Sequence, residues 1–284
     1  MNWISDILRP RIKTLFSKIK EVPENLWTPC PKCSTLLYKK NIDEHMNVCS
    51  KCDFHMALDR QERFATLFDD KKFTEIEIPD VPADPLDFKD LKKYEARLKD
   101  ARDETKEKDS ASVAFGKIDG SDAVVFILDF AFMGGSMAAY VGEAMISAAK
   151  TAIKKKAPLI AITTSGGARM QEGIISLMQM ARTTLAVNMV RDAKLPYIMI
   201  LANPTFGGVS ASFAMLGDVE IAEKGAIIGF AGRRVIEQAI KHKLPPEFQT
   251  AEYLMQQGDV DLVVHRHGLK STLSNIIKIL MGSK

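Results

Sequence analysis

From about residue 110 the chain falls into repeated units: an apolar run, a glycine turn, then a stretch with helical spacing. The first run, Ala123-Val124-Val125-Phe126-Ile127-Leu128, is followed by Gly134-Gly135 and a helical segment over 137–156. The second, Leu159-Ile160-Ala161-Ile162, runs into Thr163-Thr164-Ser165-Gly166-Gly167-Ala168-Arg169 and an amphipathic Met- and Leu-rich helix to about residue 191. The third, Tyr197-Ile198-Met199-Ile200-Leu201, leads to Asn203-Pro204-Thr205-Phe206-Gly207-Gly208 and a small-residue helix at 210–216. Segments 226–230 and 261–264 repeat the pattern more weakly. Runs without polar alternation predict strands buried on both faces, and helices between them predict largely parallel pairing, so the body is α/β or α+β. Met170, Met178, Met180 and Met189 fall on one helix and are predicted to fill the core.

Upstream the texture is different. Residues 84–109 carry a charge at 17 of 26 positions, while Leu91, Tyr94, Leu98 and Ala101 recur at helical spacing, which predicts a solvated helix with one docking stripe. Val81-Pro82-Ala83-Asp84-Pro85 reads as an extended linker, because the residue before each proline is pushed out of the helical region. The expected organisation is a basic segment at 1–28, a small cysteine-bearing module at 29–56, linker and charged helix at 57–109, and the main body at 110–284.

With 284 residues, 46% of them hydrophobic and 26% charged, the chain has enough apolar content for a core without a disulfide lattice. A net charge of +3 is far too small to argue for a dedicated nucleic-acid or membrane binder. The surplus sits in the first forty residues, where Arg9, Arg11, Lys13, Lys18, Lys20, Lys32, Lys39 and Lys40 face three acidic side chains. The apolar stretch 3–8 is short and runs into Arg9, so no secretory signal fits and a cytoplasmic location is the default. Only the segment 195–217 is charge-free for the roughly 20 residues of a membrane helix, and Asn203, Pro204, Gly207 and Gly208 interrupt it.

All four cysteines, Cys30, Cys33, Cys49 and Cys52, follow the spacing C-x2-C-x15-C-x2-C of a tetrahedral zinc site. Two residues between thiols allow a tight turn that aims both sulfurs at one ion, and a hairpin in the longer spacer is expected to bring the second pair opposite. A closed shell of four thiolates leaves no place for water or substrate, so this Zn2+ is structural. Disulfides are the alternative, disfavoured in a reducing compartment. His45 and His55 lie nearby and are predicted to be surface or packing residues.

Glycine pairs at strand ends let the backbone approach a ligand, and a following helix points free N–H groups at the same spot. Such a corner suits a phosphate or an oxyanion. The turns hold neither G-x-G-x-x-G nor a P-loop, which favours the oxyanion. Gly166-Gly167 and Gly207-Gly208, two corners of matching design after successive strands, are the candidate catalytic groups. Serine catalysis at Ser165, Ser210 or Ser212 competes, with His242, His265 and His267 as possible bases, although no G-x-S-x-G elbow occurs.

The run Glu24-Asn25-Leu26-Trp27-Thr28-Pro29-Cys30-Pro31-Lys32-Cys33 joins Val48-Cys49-Ser50-Lys51-Cys52, the stretch from Ser165 to Gly173 (SGGARMQEG), that from Pro204 to Asp218 (PTFGGVSASFAMLGD) and GFAGRRVIEQ from Gly229. Together these motifs resemble the beta subunits of bacterial acetyl-CoA carboxylase carboxyltransferase, from about Leu26 to the C-terminus. The resemblance implies a crotonase-type β-β-α spiral preceded by a zinc ribbon, which periodicity alone does not separate from a doubly wound sheet. It implies transfer of a carboxyl group from carboxybiotin, presented on a biotin carboxyl carrier protein, to acetyl-CoA, giving malonyl-CoA for fatty-acid synthesis. Gly166, Gly167, Gly207 and Gly208 would line the oxyanion hole, with biotin as proton acceptor. An alpha subunit would supply the facing half in an alpha2beta2 assembly, and biotin carboxylase would charge the carrier. A different acyl-CoA reaction or a hydrolase on the same fold is the alternative. Arg169 and Lys154-Lys155-Lys156 are candidates for CoA phosphates, or for an internal ion pair and a solvated helix end respectively. The basic segment with the ribbon adds a possible nucleic-acid role.

Overall fold

The computed structural model describes residues 26–282. The basic side chains from Arg9 to Lys20, and nearly all of the expected segment 1–28, lie outside the described residues.

The ribbon opens with β1 (Trp27–Pro29) paired antiparallel to β2 (Leu36–Tyr38), followed by α1 (Lys39–Glu44). The hairpin therefore closes around the first cysteine pair, and the spacer folds as β2 and a short helix. An antiparallel bridge from Val48 to His55 closes around the second pair in the same way. Next come α2 (Arg60–Leu67), β3 (Phe73–Glu75) and α3 (Tyr94–Thr105). Asp59 and Glu62 form a capping box that starts α2. In α3, Tyr94, Leu98 and Ala101 are buried as the stripe predicts, whereas Leu91 is fully exposed, because the helix begins only at Tyr94.

The body contains β4 (Ala111–Ile118), β5 (Ser121–Leu128), α4 (Ala139–Lys155), β6 (Leu159–Ser165), α5 (Gly173–Asp192) and β7 (Tyr197–Thr205). It continues with α6 (Gly207–Ser210), β8 (Val219–Glu223), α7 (Arg233–Ile240), α8 (Ala251–Gln257), β9 (Leu262–Val264) and α9 (Leu269–Met281). Seven strands make one sheet in the order β3-β4-β5-β6-β7-β8-β9. The first two pairings are antiparallel and those from β5 to β9 are parallel.

Side chains alternate across this sheet. Val124, Phe126 and Leu128 point into a core with Val141, Met145, Ala186 and Val190 of α4 and α5. Val125 and Ile127 point to the other face, against Phe64 and Leu67 of α2 and Leu273 and Ile277 of α9. Both faces are covered, which explains the unbroken apolar runs.

Two expected elements differ. The strand expected at 226–230 reduces to single bridges, Thr205 with Ile228 and Ile227 with Thr250, and the sheet position is filled by β8. The helix expected at 210–216 is a turn of α6 and a 3-10 turn at Phe213–Met215. The bridges, together with one from Met137 to Ala168, tie each strand's closing turn to the next unit. This is the spiral of strand, turn and helix units that the resemblance implies.

Candidate functional site

Because β5, β6 and β7 run parallel, the turns that leave them gather at one end of the sheet. The Gly166 N–H donates to Gly134 O at 2.8 Å, the Met137 N–H to Gly167 O at 2.8 Å, and the Arg169 N–H to Met137 O at 2.9 Å. One corner further on, Phe206 donates to Ser165 O at 2.9 Å and Gly207 to Phe230 O at 2.8 Å. The Gly167 N–H is taken by the Ser165 hydroxyl at 3.0 Å.

Of the four glycines expected to line an oxyanion hole, three thus spend their N–H groups inside the corner. Gly208 does not: it sits in the first turn of α6, where amides have no intrahelical acceptor. Ala168 is the second such donor. Its neighbours Gly167 and Arg169 both bond Met137, so in this parallel bridge the Ala168 N–H points the other way. The two residues face each other: a Cβ built on Gly208 lies 3.6 Å from that of Ala168. Ala168 directly follows the glycine pair in the sequence, but which amide is left without a backbone acceptor depends on what the neighbouring turn accepts.

The serines are occupied. Ser165 Oγ donates to Gly135 O at 2.6 Å, Ser210 Oγ to Gly207 O and Gly229 O at 2.9 and 2.8 Å, and Ser212 Oγ to Gly208 O at 2.6 Å. The histidines lie elsewhere: His265 Nε2 is 2.9 Å from Asp53 and His267 Nε2 is 3.0 Å from the His45 carbonyl, both at the seam with the ribbon, while His242 is exposed. The serines build turns, and none has the base that a nucleophile requires.

Arg169 is fully buried and forms an internal ion pair, with Asp109 as its partner. Tyr94 connects this pair to Glu172, its hydroxyl donating to Glu172 Oε1 at 2.8 Å. Burial pushes the Tyr94 hydroxyl above its ordinary range, so it stays a donor. Asp109 lies in a charge run that otherwise reads as solvated surface. Lys154, Lys155 and Lys156 close α4 as an exposed end favourable to the helix dipole, with Lys155 Nζ 4.4 Å from the Phe115 ring centroid.

At the ribbon, the four cysteine Sγ atoms lie within 4.8 Å of one another, with 3.6 Å between Cys30 and Cys52 and 3.8 Å between Cys33 and Cys49. A tetrahedron with Zn–S bonds of about 2.3 Å has sulfurs about 3.8 Å apart, so these residues fit the metal. The cysteines are free thiols, and the Thr35 side chain beside Cys33 lowers that thiol to about 6. Arg266 docks the ribbon on the body, donating to Met46 O and Met56 O at 2.9 Å each and to Glu223 Oε2 at 2.7 Å. Arg63 also reaches Glu223, at 2.6 Å, which together with Arg266 holds that carboxyl well below its usual range despite complete burial.

The apolar faces are not all covered. Met170, Ile174, Leu177, Met178 and Leu185 line the outer side of α5 and its entry, and all are exposed, as are Phe230, Val235 and Ile240 around α7. The expectation that Met170 and Met178 fill the core is therefore corrected: Met180 and Met189 pack inward, but among the described residues nothing covers the opposite side of α5.

Residues 66–268 match the family described as carboxyl transferase domain, and residues 27–52 match the acetyl-CoA carboxylase zinc finger domain. The chain is 52% identical over 280 residues to the acetyl-coenzyme A carboxylase carboxyl transferase subunit beta of Gluconacetobacter diazotrophicus, covering 99% of this chain and 93% of that one. It is 53% identical to the corresponding subunit of Dinoroseobacter shibae over 282 residues, with 99% and 88% covered. The chain belongs to this beta-subunit family of carboxyl transferases. The family's fold extends to solved structures of lower identity. A malonate decarboxylase hetero-dimer of Pseudomonas shares it at TM-score 0.60 and 22% identity, over 78% of this chain and 86% of that one. Transcarboxylase 12S shares it at TM-score 0.61 and 24% identity, over 77% and 40%. The zinc-finger match covers the four cysteines of the ribbon, and the carboxyl transferase match covers the glycine corners of the body.

Proposed function

We propose that this beta subunit carries one half of the site at which a carboxyl group passes from carboxybiotin to acetyl-CoA, giving malonyl-CoA for fatty-acid synthesis. The observation that carries the reading is that Ala168 N–H and Gly208 N–H have no backbone acceptor among the described residues and belong to residues that lie against each other where β6 and β7 end. Removing a methyl proton from a thioester puts negative charge on its carbonyl oxygen, and two fixed backbone donors stabilise that charge without reorganisation. Gly166, Gly167 and Gly207 shape the corner, and Gly208 donates. Carboxybiotin, delivered by a carrier protein that biotin carboxylase recharges, would supply the carboxyl group, and the biotin left when that N–C bond breaks would accept the methyl proton.

The apolar faces of α5 and α7 favour a partner chain, since monomers rarely leave such surface open. A related alpha subunit, in an alpha2beta2 assembly, is the proposed occupant. The subunit alone is expected to be nearly inactive, and mixing it with the alpha subunit should restore malonyl-CoA formation from acetyl-CoA and carboxybiotin. Full turnover by the beta subunit alone would overturn this. No helix among the described residues is long and apolar enough to cross a membrane; four reduced thiols accord with the proposed cytoplasmic location. Nucleic-acid binding by the ribbon, where Lys32, Lys39 and Lys40 are exposed, is a separate proposal. Its affinity should fall linearly on a log–log plot against salt, and insensitivity to salt would refute it.

A further inference from the structure

A guanidinium has five N–H bonds, and every one of those on Arg169 has an acceptor inside the protein. Nε donates to Ser136 Oγ at 2.9 Å. Nη1 donates to Asp109 Oδ2 at 2.8 Å and to the Tyr94 hydroxyl at 3.1 Å. Nη2 donates to Asp109 Oδ1 at 2.7 Å and to the Ser136 carbonyl at 3.0 Å, with Ser110 Oγ at 3.2 Å. No donor is left for a phosphate or a carboxylate of a substrate, and the side chain is 0% exposed.

What these bonds connect is more informative than their number. Asp109 and Ser110 precede β4, Ser136 belongs to the turn after β5, and Tyr94 begins α3. Glu172 extends the chain of contacts: it accepts from Tyr94 through Oε1 and from the Ala139 N–H, at the start of α4, through Oε2 at 2.7 Å. Three separate segments therefore converge on the side chain of Arg169, the residue next to Ala168, and Glu172 ties two of them together through Tyr94 and Ala139. Burying an ion pair in this way contributes little net stability compared with apolar packing, but its planar, two-pronged geometry holds position closely.

We propose that Arg169, clamped by Asp109 and Tyr94, is a positioning residue that sets the Ala168 N–H toward the reacting oxygen and does not itself touch substrate. This rests on the oxyanion-hole reading above, so its test includes a measurement that is independent of activity. Tyr94→Phe removes one hydroxyl without changing the packing volume, and Arg169→Lys keeps the charge but loses the fork; the first is the less disruptive. Each is assembled with the alpha subunit, and three quantities are measured: kcat, KM for acetyl-CoA, and amide hydrogen exchange of the peptide containing 166–170.

A displaced donor should lower kcat about ten- to a hundredfold with KM for acetyl-CoA changed less than about twofold, because small misplacements act on the transition state. Exchange over 166–170 should rise in both variants. Raised exchange with unchanged kcat would uphold the positioning role and overturn the oxyanion-hole reading. Unchanged exchange would overturn the positioning role, whatever the rates. A rise in KM with kcat intact would also overturn it, by showing that the cluster binds substrate directly.

Discussion

Gly167 and Gly207 meet backbone to backbone. A Cβ placed on Gly207 would lie 2.9 Å from Gly167 Cα, and one placed on Gly167 would lie 3.2 Å from Gly207 Cα; both residues also have positive φ, at 64° and 116° for Gly207 and Gly167 respectively. Neither position tolerates a side chain without separating the two corners, and the amides of Ala168 and Gly208 sit immediately beyond the contact.

Gly207→Val should therefore reduce carboxyl transfer by at least about a hundredfold, the loss expected when one oxyanion donor is removed. Ser210→Ala and Ser212→Ala, which lose only hydroxyls bonded to turn carbonyls, should stay within about fivefold of the parent and lose about 1 kcal/mol of stability each. Rates in the assembled complex decide the matter. A serine variant less active than Gly207→Val would mean that the hydroxyl, and not the backbone, does the chemistry.

Removal of one thiolate should empty the ribbon. Cys33→Ser or Cys49→Ser is expected to bind less than one zinc per chain by elemental analysis and to lose protection from proteolysis over 27–56, since structural zinc binding of roughly 10–16 kcal/mol is folding free energy for such a module. Full zinc content in both variants would contradict the assignment.

Glu220 makes stability depend on pH. Burial pushes its carboxyl up to about 7, and one of its oxygens has no partner, while the other accepts from the Gly217 N–H at 2.6 Å. The folded state therefore holds a proton that the unfolded chain releases near 4.5. Between these values the native state binds more protons than the unfolded one, so stability falls as pH rises. This contribution is complete below about pH 4.5 and lost above about 7, a change of about 3 kcal/mol. Denaturant unfolding from pH 5 to pH 8 should show that decline in the parent and a flatter profile in Glu220→Gln; parallel profiles would show that Glu220 is ionised throughout.

The same residue explains part of what was hard to read in the sequence. The runs at 123–128, 159–162 and 197–201 are legible because both faces of those strands are apolar. In β8 the acids Glu220 and Glu223 interrupt the pattern, and their burial depends on a backbone amide and on arginines distant in the chain. The β4–β5 hairpin carries its own local signal, Asp119-Gly120, both with positive φ as a tight two-residue turn requires. At the site, the cysteines and the glycine corners are legible from spacing alone. Asp109 is not, because its partner is 60 positions away and nothing distinguishes it locally from its charged neighbours. The free amides of Ala168 and Gly208 are likewise set by tertiary pairing.

Arg266 bonds a strand of the body through Glu223 and the ribbon through Met46 and Met56 carbonyls, so the two modules share one thermodynamic account of the metal. Whatever factor zinc occupancy adds to the docking equilibrium, docking must return to the affinity for zinc, since coupling free energies are reciprocal. A chelator titration of the intact chain thus reports on the far edge of the sheet as well as on four sulfurs. A substitution at Glu223, more than 170 positions from the nearest metal-binding cysteine, should change how readily the ion leaves.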